Sequence, residues 1–408
     1  MSRGARLLAN LGGEEETRWR GRESSLLRVA QLWGLLFGDE SRLLSEPREI
    51  PWPPALGARP REPVFPWLED GAGLVCWLET RDARADPRAA GLAAPGPSPE
   101  DVARVHDKAF AHRCALRDGF VPRSLRDLIG VLEPAELADA DAAVRRLTRL
   151  LESWPAWARA RFTLKPRFGS SGRGRVSGVE GIADTREIRG ALPRLASLGG
   201  ALLEPWLDRS LDLSAQFRVD PEEGTLMLGT LEQLVTPSGS YRGHRGWVDS
   251  RGRVVSGSDY DEALREAAAA LASAAAREGY FGPASLDAFA FRLPEQSEDD
   301  CDAPEVFRPV VELNGRFTLG TIALGLVRRA LGELKAPLGL EPGNRRAFVF
   351  GLSAPPGGWQ AAASGAGRLA RLVPLWQGDG AGPDAQPALL FAETARDLDA
   401  TATAVASN

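Results

Sequence analysis

Leu164-Lys165-Pro166-Arg167-Phe168-Gly169-Ser170-Ser171-Gly172-Arg173-Gly174 is the stretch on which the fold turns. From Arg161 onward the side chains alternate. Phe162 and Leu164 face one way, Thr163 and Lys165 the other, which is the period of a half-buried strand. Val176 resumes a strand, so the glycines occupy the loop of a hairpin. Backbone N–H groups in such a loop carry little steric cover and can wrap phosphates, with the Lys165 charge beside them. Gly-Lys-Ser/Thr is missing and no helix follows, so this is not a P-loop. The glycine order is not the dinucleotide fingerprint either. From this stretch alone, a flexible hairpin loop reads equally well.

Toward the C-terminus, Ala201-Leu202-Leu203 forms a short strand ending at Glu204-Pro205. Leu211, Leu213, Ala215, Phe217 and Val219 then alternate strictly with Asp212, Ser214, Gln216 and Arg218. That pattern predicts a half-buried strand. Pro221-Glu222-Glu223-Gly224 turns it into a partner around 226–235, which carries Glu232 and Gln233. A Gly-containing loop over 238–246 holds Tyr241, Arg242, His244 and Arg245. An Ala-rich helix follows, capped by Ser258 and Asp261 and stopped at Gly279. Two more strands, around 286–291 and 310–314, are joined by an acidic loop over 293–304. Glu312 and Asn314, two residues apart on a strand, share a face. A hairpin would set Asp287 alongside. Two carboxylates and an amide oxygen on one face suit Mg²⁺; the polar face of a solvated sheet is the alternative.

Toward the N-terminus, Ser98, Pro99 and Asp101 mark the start of a helix, with Val102, Val105, Ala109 and Leu116 as its apolar stripe. The pattern predicts one helix running to Gly119, with Lys108 beside the stripe and His112 a turn further on. A second helix is expected over 135–151. Residues 1–97 are rich in Pro, Trp and Arg. Strand signals at 7–11, ending in a Gly12-Gly13 turn, and at 74–78 flank a helix signal at 26–37. That order fits a small α/β domain. The Gly/Ala/Pro-rich segment after 331 completes the fold.

Composition sharpens the list of suspects. The chain has 408 residues, enough for several domains. Of its 50 Lys and Arg residues only Lys108, Lys165 and Lys335 are lysine. Where arginine has replaced lysine almost everywhere, each surviving lysine is a candidate for a tight site, because the two cations are not interchangeable there. Asparagine is nearly as scarce, and Asn314 is one of four. A net charge of −5 argues against a general grip on nucleic acid. Three cysteines without a CxxC pair and three histidines without paired spacing make neither a disulfide framework nor a zinc site. No apolar run reaches membrane-spanning length, and a cytoplasmic setting is expected.

The order of these signals resembles the ATP-grasp superfamily. The stretch from Asp107-Lys108-Ala109-Phe110 to Gly119-Phe120-Val121-Pro122 is similar to its lysine-bearing helix. The Leu164 to Gly174 stretch is similar to its second lysine and phosphate-covering loop. Leu203-Glu204-Pro205-Trp206-Leu207 resembles its adenine-contacting hinge, and Val311-Glu312-Leu313-Asn314-Gly315-Arg316 resembles its E-x-N metal motif. The resemblance covers about residues 98–325.

It implies an α+β, two-lobed clamp preceded by a small α/β, Rossmann-like domain. The expected boundaries are 1–97 for the N-terminal domain, 98–160 for a helical linker, 161–205 for the lobe with the Gly-rich loop, 206–330 for the lobe with the metal site, and 331–408 for a completing segment. ATP would be held by Lys108, Lys165, Gly169, Ser170, Ser171, Gly172, Gly174, Glu204, Leu207 and Asp212. Asp287, Glu312 and Asn314 would bind one or two Mg²⁺, with Mn²⁺ able to substitute. The implied reaction joins a carboxylate to an amine, both on small molecules or peptides, through an acyl phosphate. Arg316 would stabilise the transition state, and Arg242 and Arg245 would clamp a substrate carboxylate. Phosphoryl transfer to a small molecule and non-catalytic ATP binding remain as alternatives. No nucleic-acid or membrane partner is implied, and any oligomer would be a dimer. In the branch that joins D-alanines an arginine lies two residues before the metal aspartate. Ser285 stands there, so either Arg218, Arg292 or Arg316 substitutes or the chemistry differs. Asp212 is shorter than the usual ribose-binding glutamate and displaced by one.

Overall fold

The computed structural model describes residues 4–11, 23–45, 48–68, 73–169, 173–293, 305–376 and 386–407. The expected Gly12-Gly13 turn, Ser170, Ser171, Gly172 and nearly all of the acidic loop lie outside the described residues.

Three sheets organise the chain. The first is parallel, in the order Arg42–Leu43, Arg6–Leu8, Leu74–Cys76. The chain steps to one side of the first strand and then returns to its other side. This places a topological switch point between Arg6–Leu8 and Leu74–Cys76. Asn10 fastens the two strand ends together. Its amide nitrogen donates to Leu78 O at 2.6 Å, and its oxygen accepts from Leu78 N at 3.1 Å.

The second sheet is antiparallel, in the order Gly130–Leu132, Ala201–Pro205, Arg161–Pro166, Val176–Val179. The hairpin read from the Gly-rich stretch is present: Leu164 pairs with Val176 and Phe162 with Gly178. Gly174 has φ 73°, a backbone turn that any residue with a Cβ resists.

The third sheet has nine strands. From one edge these are Glu305–Asn314, Gly282–Arg292, Asp208–Asp220, Gly224–Val235, Val254–Val255, Tyr241–Asp249, Arg345–Gly351, Ala388–Ala392 and Arg371–Pro374. The Ala-rich helix Asp261–Arg277 packs on the strands Asp208–Asp220 and Gly224–Val235. The segment after 331 supplies three strands of this sheet and a second apolar cluster around Val349, Leu390, Trp359 and Leu398.

Three local expectations change. The helix expected from Ser98 to Gly119 is two helices, Pro99–His106 and Lys108–Arg117. Asp107 ends the first and caps the second, accepting from Ala109 N at 2.9 Å, while Arg167 grips its carboxylate from the hairpin. The break puts Lys108 in the first turn of a new helix. The strand expected to be half-buried is covered on both faces, since Ser214 and Gln216 are as buried as Ala215 and Phe217. Thr318 and Thr321, at the start of the helix Leu319–Leu334, donate to Gln216 Oε1 and cover its polar face. The expected loop over 238–246 is largely a strand, Tyr241–Asp249, because it finds antiparallel partners on both sides, Gly224–Val235 and Arg345–Gly351.

Among the described residues no helix is long and apolar enough to cross a membrane. Cys76 and Cys114 are buried free thiols.

Candidate active site

The two remote lysines meet in a cleft of about 320 Å³ where the second sheet, the third sheet and the N-terminal strand ends come together. Lys108 is nearly buried. Its Nζ donates to Gly169 O at 2.7 Å and lies 3.3 Å from Glu312 Oε2. The helix break at Asp107 makes this reach possible, because it aims the first helical residue at the hairpin loop.

Lys165 Nζ lies 2.5 Å from Glu204 Oε2, and Glu204 Oε1 accepts from Arg308 at 2.6 Å. Glu204 and Arg308 are each about 2% exposed. Burial alone would raise the Glu204 carboxyl, but Arg308 and Lys165 together hold it below the ordinary carboxylate range.

Asp287 and Glu312 are direct cross-strand partners, as the hairpin reading required. Asp287 Oδ1 accepts from Gln233 at 2.7 Å and Oδ2 from Asn314 at 3.1 Å. Arg316 donates to Asn314 Oδ1 at 3.2 Å and to Phe317 O at 3.1 Å. Burial first, and then the neighbouring Glu312, push the Asp287 carboxyl up to about 7. Burial acts on Glu312 in the same sense, but Lys108 and Lys165 outweigh it and keep that carboxyl low.

Two half-buried carboxylates and an amide oxygen form a hard-oxygen donor set, and a divalent cation would offset the repulsion from Glu312 that helps to raise Asp287. Among the described residues no three His, Cys, Asp or Glu side chains cluster as a metal cage. The set therefore fits Mg²⁺, which normally keeps waters and substrate phosphates as its other ligands.

A pH effect follows. A carboxyl whose folded pKa is raised contributes stability that is complete below its unfolded value and lost as pH rises through its folded value. For Asp287 that window runs from 3.8 to about 7. Metal-free Asp287→Asn protein should gain on wild type progressively from about pH 4 to about pH 7 and level off above it. Thermal melts of both proteins across this range check it, and saturating Mg²⁺ should flatten the trend.

Lys108, Lys165, Gly169, Asp212, Asp287, Glu312, Asn314 and Arg316 line the one cleft. Asp212 is tied to Arg209 at 2.7 Å, and burial raises its carboxyl. Glu204, Leu207 and Gly174 do not border the cleft. Glu204 instead anchors Lys165 and, through Arg308, joins the second sheet to the third. Arg242 and Arg245 do not border it either, and the expected carboxylate clamp is not formed. Arg245 is held by Glu232 at 2.7 Å and Asp399 at 2.9 Å. Their neighbours Tyr241 and His244 line the cleft instead. His244 Nδ1 faces Glu232 O at 3.3 Å, and burial lowers its pKa to about 3, so the ring is neutral. Among the candidates to replace the arginine absent at Ser285, Arg316 lines the cleft. Arg218 does not, and Arg292 stands exposed at the far end of its strand.

Sequence reasoning missed Gln216, Thr318, Trp77, Arg175 and Arg209, which also line the cleft. Thr318 left a signal, a Thr three residues before another Thr at the head of an apolar run. Its Oγ1 caps the helix Leu319–Leu334, whose N-terminus borders the cleft. Helix N-termini favour anions. Gly320 is required beside it, since a Cβ there would sit 2.4 Å from the Gln216 amide.

No protein-family model and no curated protein matches the chain. Solved structures do. The biotin carboxylase domain dimer of 2-oxoglutarate carboxylase from Hydrogenobacter thermophilus, a complex with MgADP, ADP and bicarbonate, superposes with a TM-score of 0.52 at 15% identity. The match covers 96% of this chain and 86% of that one. N5-carboxyaminoimidazole synthase from Aspergillus clavatus, in complex with ADP and 5-aminoimidazole ribonucleotide, superposes with a TM-score of 0.51 at 14% identity. That match covers 98% of both chains. A structure of the enzyme from the same organism with ATP gives 0.51 at 14% identity, over 99% of both chains. With its three sheets and its paired lysines facing a carboxylate pair, this chain has the ATP-grasp fold.

Proposed function

We propose that the chain is an ATP- and Mg²⁺-dependent ligase that joins a carboxylate to an amine through an acyl phosphate. The observation that carries this reading is the meeting of Lys108, Lys165, Asp287, Glu312 and Asn314, drawn from three separate segments, in one cleft. Structures of the same fold hold MgADP with bicarbonate, and ADP with an aminoimidazole ribonucleotide. Each pairs a nucleotide with a substrate of the kind proposed.

Lys108 and Lys165 bind phosphate oxygens. Both are neutralised internally in this structure, so an arriving phosphate exchanges with Gly169 O and Glu312 at Lys108, and with Glu204 at Lys165. Asp287, Glu312 and Asn314 would hold Mg²⁺, which when bound neutralises charge on the β- and γ-phosphates. Gln233 orients Asp287. Arg316, fixed by Asn314 and Phe317 O, places a guanidinium beside the carboxylate pair, where charge builds up during transfer. The substrate carboxylate attacks the γ-phosphorus and ADP leaves. The amine then displaces phosphate from the acyl carbon. A dimer in a cytoplasmic setting completes the reading.

ADP and phosphate release measured against a panel of acids and amines tests it. Release should require an acid and an amine together and scale with an amide product. Release with one substrate, and a product that keeps its phosphate by phosphorus NMR, would instead mark a phosphotransferase.

A further inference from the structure

A second cavity, of about 160 Å³, adjoins the nucleotide cleft, and Trp77 and Arg316 line both. It lies along the strand Leu74–Cys76, all three residues of which line it together with Trp77 and Pro95-Gly96-Pro97. Its walls are aromatic: Trp67, Trp77, Tyr280, Phe281 and Phe317. Phe317 and Trp67 are stacked with ring centres 6.1 Å apart. Trp67 Nε1 finds no acceptor among the described residues.

Two guanidiniums face this space. Arg218 lies 5.7 Å above the Trp67 ring and pairs with Asp220 on its own strand. Arg316 follows the metal-site Asn314 by two residues, so it stands between the two cavities. Its charge is felt by Asp287 on one side and by Tyr280 on the other. The acid in the wall, Glu79, is already paired with Arg84 at 2.7 Å. A cationic ligand would meet two guanidiniums, and a small polar acid would leave the rings without contact. A flat apolar acid satisfies both features.

We propose that this cavity takes the carboxylate substrate, and that the substrate is an aromatic carboxylic acid whose carboxylate meets Arg316 and Arg218. The inference rests on the ligase reading and names its substrate class. The carboxylate would enter from the side of Arg316 that faces away from Asn314 and meet the nucleotide at its phosphate end.

Calorimetry on protein saturated with Mg²⁺ and β,γ-imido-ATP tests it, with 3-phenylpropionate and indole-3-acetate as probes. Acetate, glutarate and tryptamine serve as comparisons. The aromatic acids should bind at least tenfold more tightly than any of the three. Arg218→Gln should weaken them about tenfold and leave nucleotide affinity unchanged, which also shows that the variant is folded. Tighter binding of glutarate or tryptamine, or no binding of the aromatic acids to nucleotide-loaded protein, overturns this assignment and leaves the nucleotide site standing. Failure to bind the nucleotide overturns both.

Discussion

Glu312→Gln is expected to lower turnover by about 10²–10³-fold while the metal-free protein keeps its fold. The magnitude is that of removing one preorganised charge-stabilising group. Glu312 is the carboxylate that faces both Lys108 and Asp287. Glutamine retains the shape but not the charge that would hold Mg²⁺. Two half-buried carboxylates side by side repel in the metal-free protein, so neutralising one relieves repulsion on the other. Asp287 should then titrate nearer its ordinary value. Lys108 keeps Gly169 O as an acceptor, so no buried cation is stranded. Turnover together with thermal melts checks the pair of effects. Lost activity with at most a small drop in melting temperature is the expected signature, the drop reflecting the lost pairing of Glu312 with Lys108. A large drop in melting temperature would mean that Glu312 serves the fold instead.

Glu204→Ala is expected to show the opposite pattern, a loss of about 3–5 kcal/mol of stability, because it strands a buried partner charge. Arg308 would keep only Val310 O at 3.1 Å and the face of Phe289 at 5.6 Å. The pair spans 104 residues and joins the second sheet to the third, so its loss should also loosen the clamp. Denaturant titration of the variant checks the magnitude, and Glu204→Gln, which retains an acceptor for Arg308, should recover part of it.

The two variants separate what sequence could show from what it could not. Asp287, Glu312 and Asn314 were legible because each obeys a local rule: alternation within a strand and hairpin pairing between neighbours. Lys108 and Lys165 were legible because arginine had taken almost every other basic position. The role of Glu204 was not legible, since its partner lies on a strand 104 residues away. Resemblance places the backbone of Leu203–Leu207 at an adenine hinge and says nothing of the Glu204 side chain, which the structure buries between Lys165 and Arg308. The glycines around Arg242 and Arg245 read as a loop, whereas the segment pairs with Gly224–Val235 just before it and with Arg345–Gly351 a hundred residues later. The break at Asp107 was hidden for a similar reason. Local spacing favours a continuous helix, and the force that favours the break is Arg167, 60 residues later. Glu204 and Asp107 each answer to a charge far away in the sequence.

In the proposed ligase one nucleotide site needs both the lysines and the carboxylate pair. Calorimetry of β,γ-imido-ATP binding, with and without Mg²⁺, on wild type and Lys165→Ala tests it most directly. Binding should tighten with Mg²⁺. Lys165→Ala should weaken it by about 10–100-fold, the equivalent of one charge-assisted contact of roughly 1.5–3 kcal/mol. Binding that ignores Mg²⁺, or a Lys165→Ala protein that binds like wild type, would contradict the account.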